Sequence, residues 1–274
     1  MSSHRDADLV FTGSIPELYE RYLVPLIFQP YADDLAARVS ARAPDAILEI
    51  AAGTGVVTRA VASALPQSSA ITATDLNQPM IDHAAALGTA RPVTWRQADA
   101  MDLPFPDRSF DVVICQFGAM FFPDRVAAYS EMRRVLRPGG AAIFNVWDRI
   151  ERNEFALAVT DGVGTLFPED PPRFLVRTPY AYHDTDRIRR DVLAAGFSES
   201  STVDSVAARS RAASCTFPAI GFCQGSPLRG EIESRGPGRL EEATSVAADV
   251  VRDRFGDTDV DGEIRAHVVT ALES

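Results

Sequence analysis

From Ala46 onward, short continuous apolar runs alternate with longer stretches whose apolar residues recur at helical spacing. The run Ala46–Ala51 (AILEIA), ending against Gly53-Thr54-Gly55, predicts a first strand, and Val56 to Leu65 predicts the helix after it. Ala70 to Thr74 predicts a second strand, Pro79 to Leu87 a helix, and Val93 to Gln97 a third strand. Phe110 to Gln116 (FDVVICQ) predicts the fourth strand. Arg125 to Leu136 reads as a helix closed by Pro138-Gly139-Gly140, and Ala141 to Trp147 (AAIFNVW) as the fifth strand. Strands that are apolar throughout and alternate with helices imply a parallel sheet covered on both faces.

The flanks are less regular. Between Ser14 and Arg42, helical spacing is interrupted by Pro16, Pro25 and Pro30, which predicts two short helices bent at proline. After strand five, Arg149 to Tyr182 holds a helical stretch near Asn153 to Leu166 and the Pro-rich PEDPPRF, an insertion outside the sheet. Asp186 to Ala195, stopped by Gly196, is a predicted helix, and Ser201 to Ala208 a sixth strand. Ala212 to Phe255 reads as mostly helical with punctuation at GSP and GPG, and Glu263 to Leu272 as the last strand. The expected organisation is an N-terminal helical cap or lid (1–45), a core (46–147), and the rest of the sheet with helical insertions (148–274).

Composition changes this picture only by exclusion. Of the 274 residues 46% are apolar and 24% charged, the balance of an ordinary folded chain rather than a disordered one. The 27 basic residues, every one of them Arg, stand against 38 acidic ones for a net charge of −11, which disfavours nucleic acid as a partner. No window suits a membrane span, and residues 1–13 are too polar for a signal peptide, so a cytoplasmic protein is expected. Cys115, Cys215 and Cys223 form no CxxC pair, and His4, His83, His183 and His267 have no metal-ligand spacing, so neither a disulfide framework nor a metal site is expected.

Candidate chemistry lies where the first strand, ending at Glu49, runs into the glycine turn that opens a helix, with Asp75 at the end of the next strand. Glycines let backbone approach a ligand, the helix start offers unpaired N–H groups, and a carboxylate at the second strand end accepts ribose hydroxyls. This pattern suits an adenosine-containing cofactor, either a dinucleotide or a nucleoside, and a tight structural turn is its rival. Thr58 stands where the dinucleotide fingerprint wants a third glycine, and Asp99 after the third strand adds a second carboxylate able to accept from an adenine amino group.

The stretches LEIAAGTG, TATDLNQPMIDHA, QADAMDLPFPDRSFDVVICQFGAMFF and EMRRVLRPGGAAIFNVW, in this order over Ala46 to Trp147, resemble the class I S-adenosylmethionine-dependent methyltransferases, in the small-molecule branch similar to the quinone-biosynthesis C-methyltransferases. The resemblance implies an α/β fold: a doubly wound, seven-stranded, mostly parallel Rossmann-like sheet of order 3-2-1-4-5-7-6 with an antiparallel last strand and helical insertions. It implies that Glu49 orders the glycine loop and the methionine amino end, that Gly53 and Gly55 admit the cofactor, and that Asp75 binds the ribose hydroxyls. Leu76 and Met80 would line the adenine, Asp99 would bind its amino group beside the Ala100 backbone, and Gln116 would lie beneath the methionine moiety. Ala51 departs from the family's usual glycine.

The implied function is methyl transfer from S-adenosylmethionine to an oxygen, nitrogen or carbon of a small molecule. An NAD-dependent oxidoreductase and a catalytically silent cofactor-binding protein are the alternatives. The acceptor pocket is expected from segments outside the core, with Tyr19, Tyr22, Phe121 and Trp147 as candidates to shape it, packing being the rival role for each. His183, just before the helix near Asp186, is a candidate general base, with a purely structural role at the helix start as its rival. Asp184 or Thr185 is the expected N-cap.

Overall fold

The computed structural model describes residues 13–273. The chain divides into two compact units. One comprises Pro30–Trp147, Tyr182–Val206 and the chain from Ala266; the other comprises the chain up to Gln29, Asp148–Ala181 and Ala207–Arg265.

A helical turn α1 (Ile15–Leu18) passes into a ten-residue π-helical segment (Tyr19–Phe28) and then into α2 (Gln29–Ser40). Here the expected pair of short, bent helices is replaced by one continuous winding. Pro25 lies inside the π segment, where Gln29 N–H donates to the Val24 carbonyl. Proline has no N–H for an i→i−4 ladder and crowds the preceding turn, and a wider turn accommodates both defects.

The sheet strands follow as β1 (Ala46–Glu49), β2 (Ala70–Asp75), β3 (Thr94–Gln97), β4 (Phe110–Gln116), β5 (Leu136–Trp147), β6 (Thr202–Ser214) and β7 (Thr258–Leu272). Their order is β3-β2-β1-β4-β5-β7-β6. The pairs β3–β2, β2–β1, β1–β4 and β4–β5 are parallel, and β7 runs antiparallel to β5. This is the order that the resemblance implies. Helices α3 (Val56–Ala64), α4 (Gln78–Leu87), α5 (Arg125–Val135) and α8 (Thr185–Ala194) accompany the strands. Ile47, Leu48, Val113, Ile114, Ala142 and Phe144 are buried, as strands covered on both faces require. The strand order reverses between β1 and β4, which opens a crevice at the carboxyl ends of these strands.

Pro138-Gly139-Gly140 does not close the helix before β5 but lies inside the strand, which starts at Leu136. The register shifts between Phe110 and Val112 there, Gly139 takes φ +80°, and a Cβ on Gly140 would meet the Arg137 and Asp111 carbonyls at 2.8 and 2.9 Å. A bulge tolerates proline and needs such glycines. The last two strands are also longer than their apolar runs. β6 continues to Ser214 and β7 starts at Thr258, because charged and small residues alternate along them and hide the extended conformation. Gly196 (φ +87°) ends α8 as expected, with Phe197 N–H donating to the Val192 carbonyl.

The second unit is mainly helical: α6 (Glu154–Leu166), α7 (Phe174–Arg177), α9 (Thr216–Gln224), α10 (Leu228–Arg235) and α11 (Leu240–Phe255). Buried Glu231 ties α7 to α10, accepting from Arg173 N–H at 2.7 Å and pairing with Arg177 at 2.6 Å. Among the described residues no helix is long and apolar enough to cross a membrane, and no cluster of His, Cys, Asp and Glu has the makings of a metal site.

Candidate active site

The turn after β1 is built from left-handed backbone. Ala51, Gly53 and Gly55 have φ of +53°, +55° and +81°. Nothing lies within 4 Å of the place a Gly53 Cβ would take, so backbone here borders open space, whereas a Cβ on Gly55 would press on Trp95 and Ala84 at 3.0 and 3.1 Å. Ala51 bears the cost of a left-handed alanine, and its methyl is accommodated by Gly118 just after β4: a Cβ on Gly118 would stand 2.5 Å from it.

Two buried carboxylates flank this turn. Asp75, at the end of β2, accepts from Gly53 N–H through Oδ2 and from Asn77 N–H through Oδ1, each at 2.8 Å. Burial raises its pKa, opposed by the amide donors of Asn77 and Gly53. Glu49 accepts from the Thr58 hydroxyl at 2.5 Å. Burial pushes its carboxyl up to about 8, Thr58 and Arg59 oppose the shift, and the nearby Asp75 adds to it. The Thr54 hydroxyl beside them is buried without a hydrogen-bond partner among the described residues. Open space at Gly53, an unsatisfied hydroxyl and a desolvated carboxyl fit a ligand that brings hydroxyls and an ammonium, as S-adenosylmethionine does.

The remaining cofactor candidates stand at the same carboxyl edge. Leu76 is 47% exposed, a large apolar side chain open at the strand end, whereas Met80 is packed into the buried face of α4. Ala98 N–H donates to the Asp75 carbonyl, which fixes the next turn against β2. In that turn Asp99 is exposed and its Oδ1 accepts from Met101 N–H at 2.9 Å, with half-buried Ala100 between them. Gln116 is buried at the end of β4.

The acceptor-side candidates are not gathered in this way. Trp147 is stacked on Phe117 with ring centroids 3.7 Å apart, and Phe121 ends the 3-10 turn Ala119–Phe121 after β4. Tyr19 and Tyr22 belong to the helical unit, where Tyr19 stacks on Phe28 at 4.8 Å and Tyr22 meets Phe217 edge-on at 5.4 Å. His183 is half-buried ahead of Asp184, whose carboxylate caps α8 by accepting from Asp186 and Arg187 N–H groups, so the N-cap is Asp184 and not Thr185. The preceding Tyr182 donates to Asp191 at 2.8 Å and lies under the Arg125 guanidinium at the start of α5. The buried thiols of Cys115 and Cys223 are pushed up to about 12 and are poor nucleophiles.

Thr58, Asn77 and Asn145 receive no site role from the sequence, although they hydrogen-bond Glu49, Asp75 and Phe117. The available signal is a polar side chain within an apolar run, as Asn145 is in AAIFNVW.

Comparison with known proteins agrees with this geometry. The family model described as a methyltransferase domain matches residues 48–144. The ubiquinone/menaquinone biosynthesis C-methyltransferase UbiE of Burkholderia orbicola is 31% identical over 172 residues, 58% of this chain and 70% of that protein. The UbiE of Burkholderia vietnamiensis is 32% identical with the same coverage. In fold, the chain is similar to the YcgJ protein from Bacillus subtilis (TM-score 0.56, 19% identity, 89% of this chain and 98% of that one). It is also similar to the Haemonchus contortus phosphoethanolamine N-methyltransferase 2 (TM-score 0.53, 17% identity, 88% of this chain and 52% of that one). The chain belongs to the class I S-adenosylmethionine-dependent methyltransferases, and it transfers the methyl group of that cofactor to a small-molecule acceptor.

Proposed function

We propose that the carboxyl edge of β1, β2 and β4 is where this chain holds its methyl donor, and that alignment of a small organic acceptor with the donor methyl is the main source of catalysis. The observation that carries this reading is Asp75: one carboxylate oxygen fixes the Gly53 amide while open space borders Gly53. In this reading Asp75 receives the ribose hydroxyls, Leu76 and Met80 line the adenine, and Asp99 with the Ala100 backbone meets the adenine edge. Gly53 and Gly55 let the backbone approach, with Ala51 shaping the loop. Glu49 and Gln116 serve the methionine end.

The sulfonium supplies an activated methyl group, so the chain's own residues need only bind, orient and exclude water. Phe121 and Trp147 are proposed to bound the acceptor space of the sheet unit. His183 is the proposed proton acceptor for a hydroxyl or ammonium substrate, a role compatible with Asp184 carrying the N-cap. A dinucleotide reading is disfavoured by Thr58, whose hydroxyl is committed to Glu49 where the third glycine of the fingerprint would stand. Action on small molecules in the cytoplasm, without nucleic acid, is part of the proposal, supported by the acidic charge and by three free cysteines, all buried.

Calorimetric titration tests the donor site. S-adenosylhomocysteine should bind and NAD should not, and Asp75→Ala should weaken binding by about 1.5–3 kcal/mol, the loss expected for hydrogen bonds to a charged acceptor. Preference for NAD, or an unchanged affinity in Asp75→Ala, defeats the reading. Methyl-labelled S-adenosylmethionine incubated with panels of phenols, amines and enolates then assigns the acceptor atom.

A further inference from the structure

Phe117, directly after the buried Gln116 of β4, has φ of +50°, a left-handed conformation that a bulky aromatic residue adopts only when its surroundings impose it. Two sets of contacts impose it. Asn145 on β5 is the register partner of Gln116 and is fully buried. Its Oδ1 accepts from Phe117 N–H at 2.9 Å, and its own carbonyl accepts from the same N–H at 3.2 Å. The Phe117 ring lies flat on Trp147, and Tyr31 meets both rings edge-on at 5.3 and 5.4 Å. Asn145 Nδ2 is buried with no hydrogen-bond partner among the described residues, so the oxygen of this carboxamide is the part in use. An apolar strand tolerates a buried amide with an unpaired NH2 group only at a cost, and the turn at Phe117 is what that amide holds.

We infer that Asn145 is a positioning residue for the methyl donor: by fixing the turn at Phe117 it sets where the end of β4, with Gln116, lies beneath the methionine end. This inference rests on the donor site proposed above. It separates the two ends of the ligand, because Asp75 and Leu76 lie on β2 and in the turn after it, away from the β4–β5 pair.

The test compares two probes, S-adenosylhomocysteine and adenosine, by calorimetry. Asn145→Leu keeps the branched side-chain shape and removes the acceptor, and it should weaken S-adenosylhomocysteine about tenfold or more while leaving adenosine within about threefold of wild type. Asn145→Asp keeps an oxygen at the Oδ1 position but places an ionisable carboxyl in a fully buried site, so it should bring S-adenosylhomocysteine binding to within about threefold of wild type at about pH 5, where burial keeps it protonated, and not at about pH 8. Asn145→Ala, which removes the acceptor without adding volume and should fold even if Asn145→Leu does not, frees the turn and should weaken S-adenosylhomocysteine alone. Equal losses for both probes mark a merely structural residue and overturn the inference, as do an unchanged affinity in Asn145→Leu and in Asn145→Ala or a failure of Asp to restore binding at about pH 5. Asp75→Ala is the control for the site itself: if it leaves both probes unaffected, the donor-site reading fails rather than the role of Asn145.

Discussion

At the scale of single residues, Glu49 links the site to pH. Its carboxyl titrates near 8 in the folded chain because it is buried, against 4.5 for an exposed glutamate. Between these values the folded chain keeps a proton that the unfolded chain has lost, so this contribution to stability is greatest below pH 4.5 and is lost as the pH rises to about 8. The full loss is on the order of 5 kcal/mol, and the raised Asp75 acts in the same direction. Urea unfolding from pH 5 to 8 should show declining stability for the ligand-free chain and a flatter profile for Glu49→Gln, which cannot ionise but still accepts from Thr58. If an ammonium binds beside Glu49 as proposed, S-adenosylhomocysteine should displace close to one proton near pH 7, read by calorimetry in buffers of different ionisation enthalpy. Gly118→Ala tests the packing of Ala51: the new Cβ would meet Ala51 at 2.5 Å and Cys115 Sγ at 2.7 Å, and unfolding should register a loss of about 1–3 kcal/mol.

At the scale of elements, the helix after the glycine turn is closed by a residue far along the chain. Arg91 is buried and donates to carbonyls at the end of α3 and just beyond it: Ala62 at 2.9 Å, Ser69 at 3.2 Å, and Leu65 and Pro66. A cation at a helix C-terminus meets the negative end of the dipole, and here it also satisfies acceptors that have no partner in the helix. Arg91→Met fills much of the volume but leaves these carbonyls bare, so it should cost about 3 kcal/mol in urea unfolding. Since α3 begins at the donor turn, the same variant should weaken S-adenosylhomocysteine binding. A stability within about 0.5 kcal/mol of wild type would mean that water replaces the guanidinium.

At the scale of the whole molecule, ligand linkage reports which cofactor the fold accepts. S-adenosylhomocysteine at 100 times its dissociation constant should stabilise the unit that binds it by about 2.7 kcal/mol, seen as a thermal transition raised by several degrees, and NAD at the same concentration should leave the transition in place. A shift with NAD alone would contradict the family assignment at its most basic point.

The first five strands, the glycine turn and the carboxylates after β1 and β2 are legible in the sequence because each is a local pattern: an apolar run of strand length, glycines at one turn, an acidic residue at a strand end. The strand order follows from resemblance over 46–147, not from periodicity. The full length of β6 and β7 was hidden, since an edge strand such as β6 carries alternating polar residues with no apolar run to mark it. The winding across Pro25 was equally hidden, because proline marks a disturbed helix without saying whether the chain bends or widens its turn. Only the tertiary structure decided how Ala51 is tolerated, what holds Phe117 left-handed and what closes α3. In each case the deciding partner, Gly118, Asn145 or Arg91, lies 22 or more residues away and reaches the site through the pairing of strands or the packing of a loop. Local sequence determines which elements form and where glycine and carboxylate fall; the strained and buried groups that make them a site are settled by contacts that exist only once the sheet is assembled.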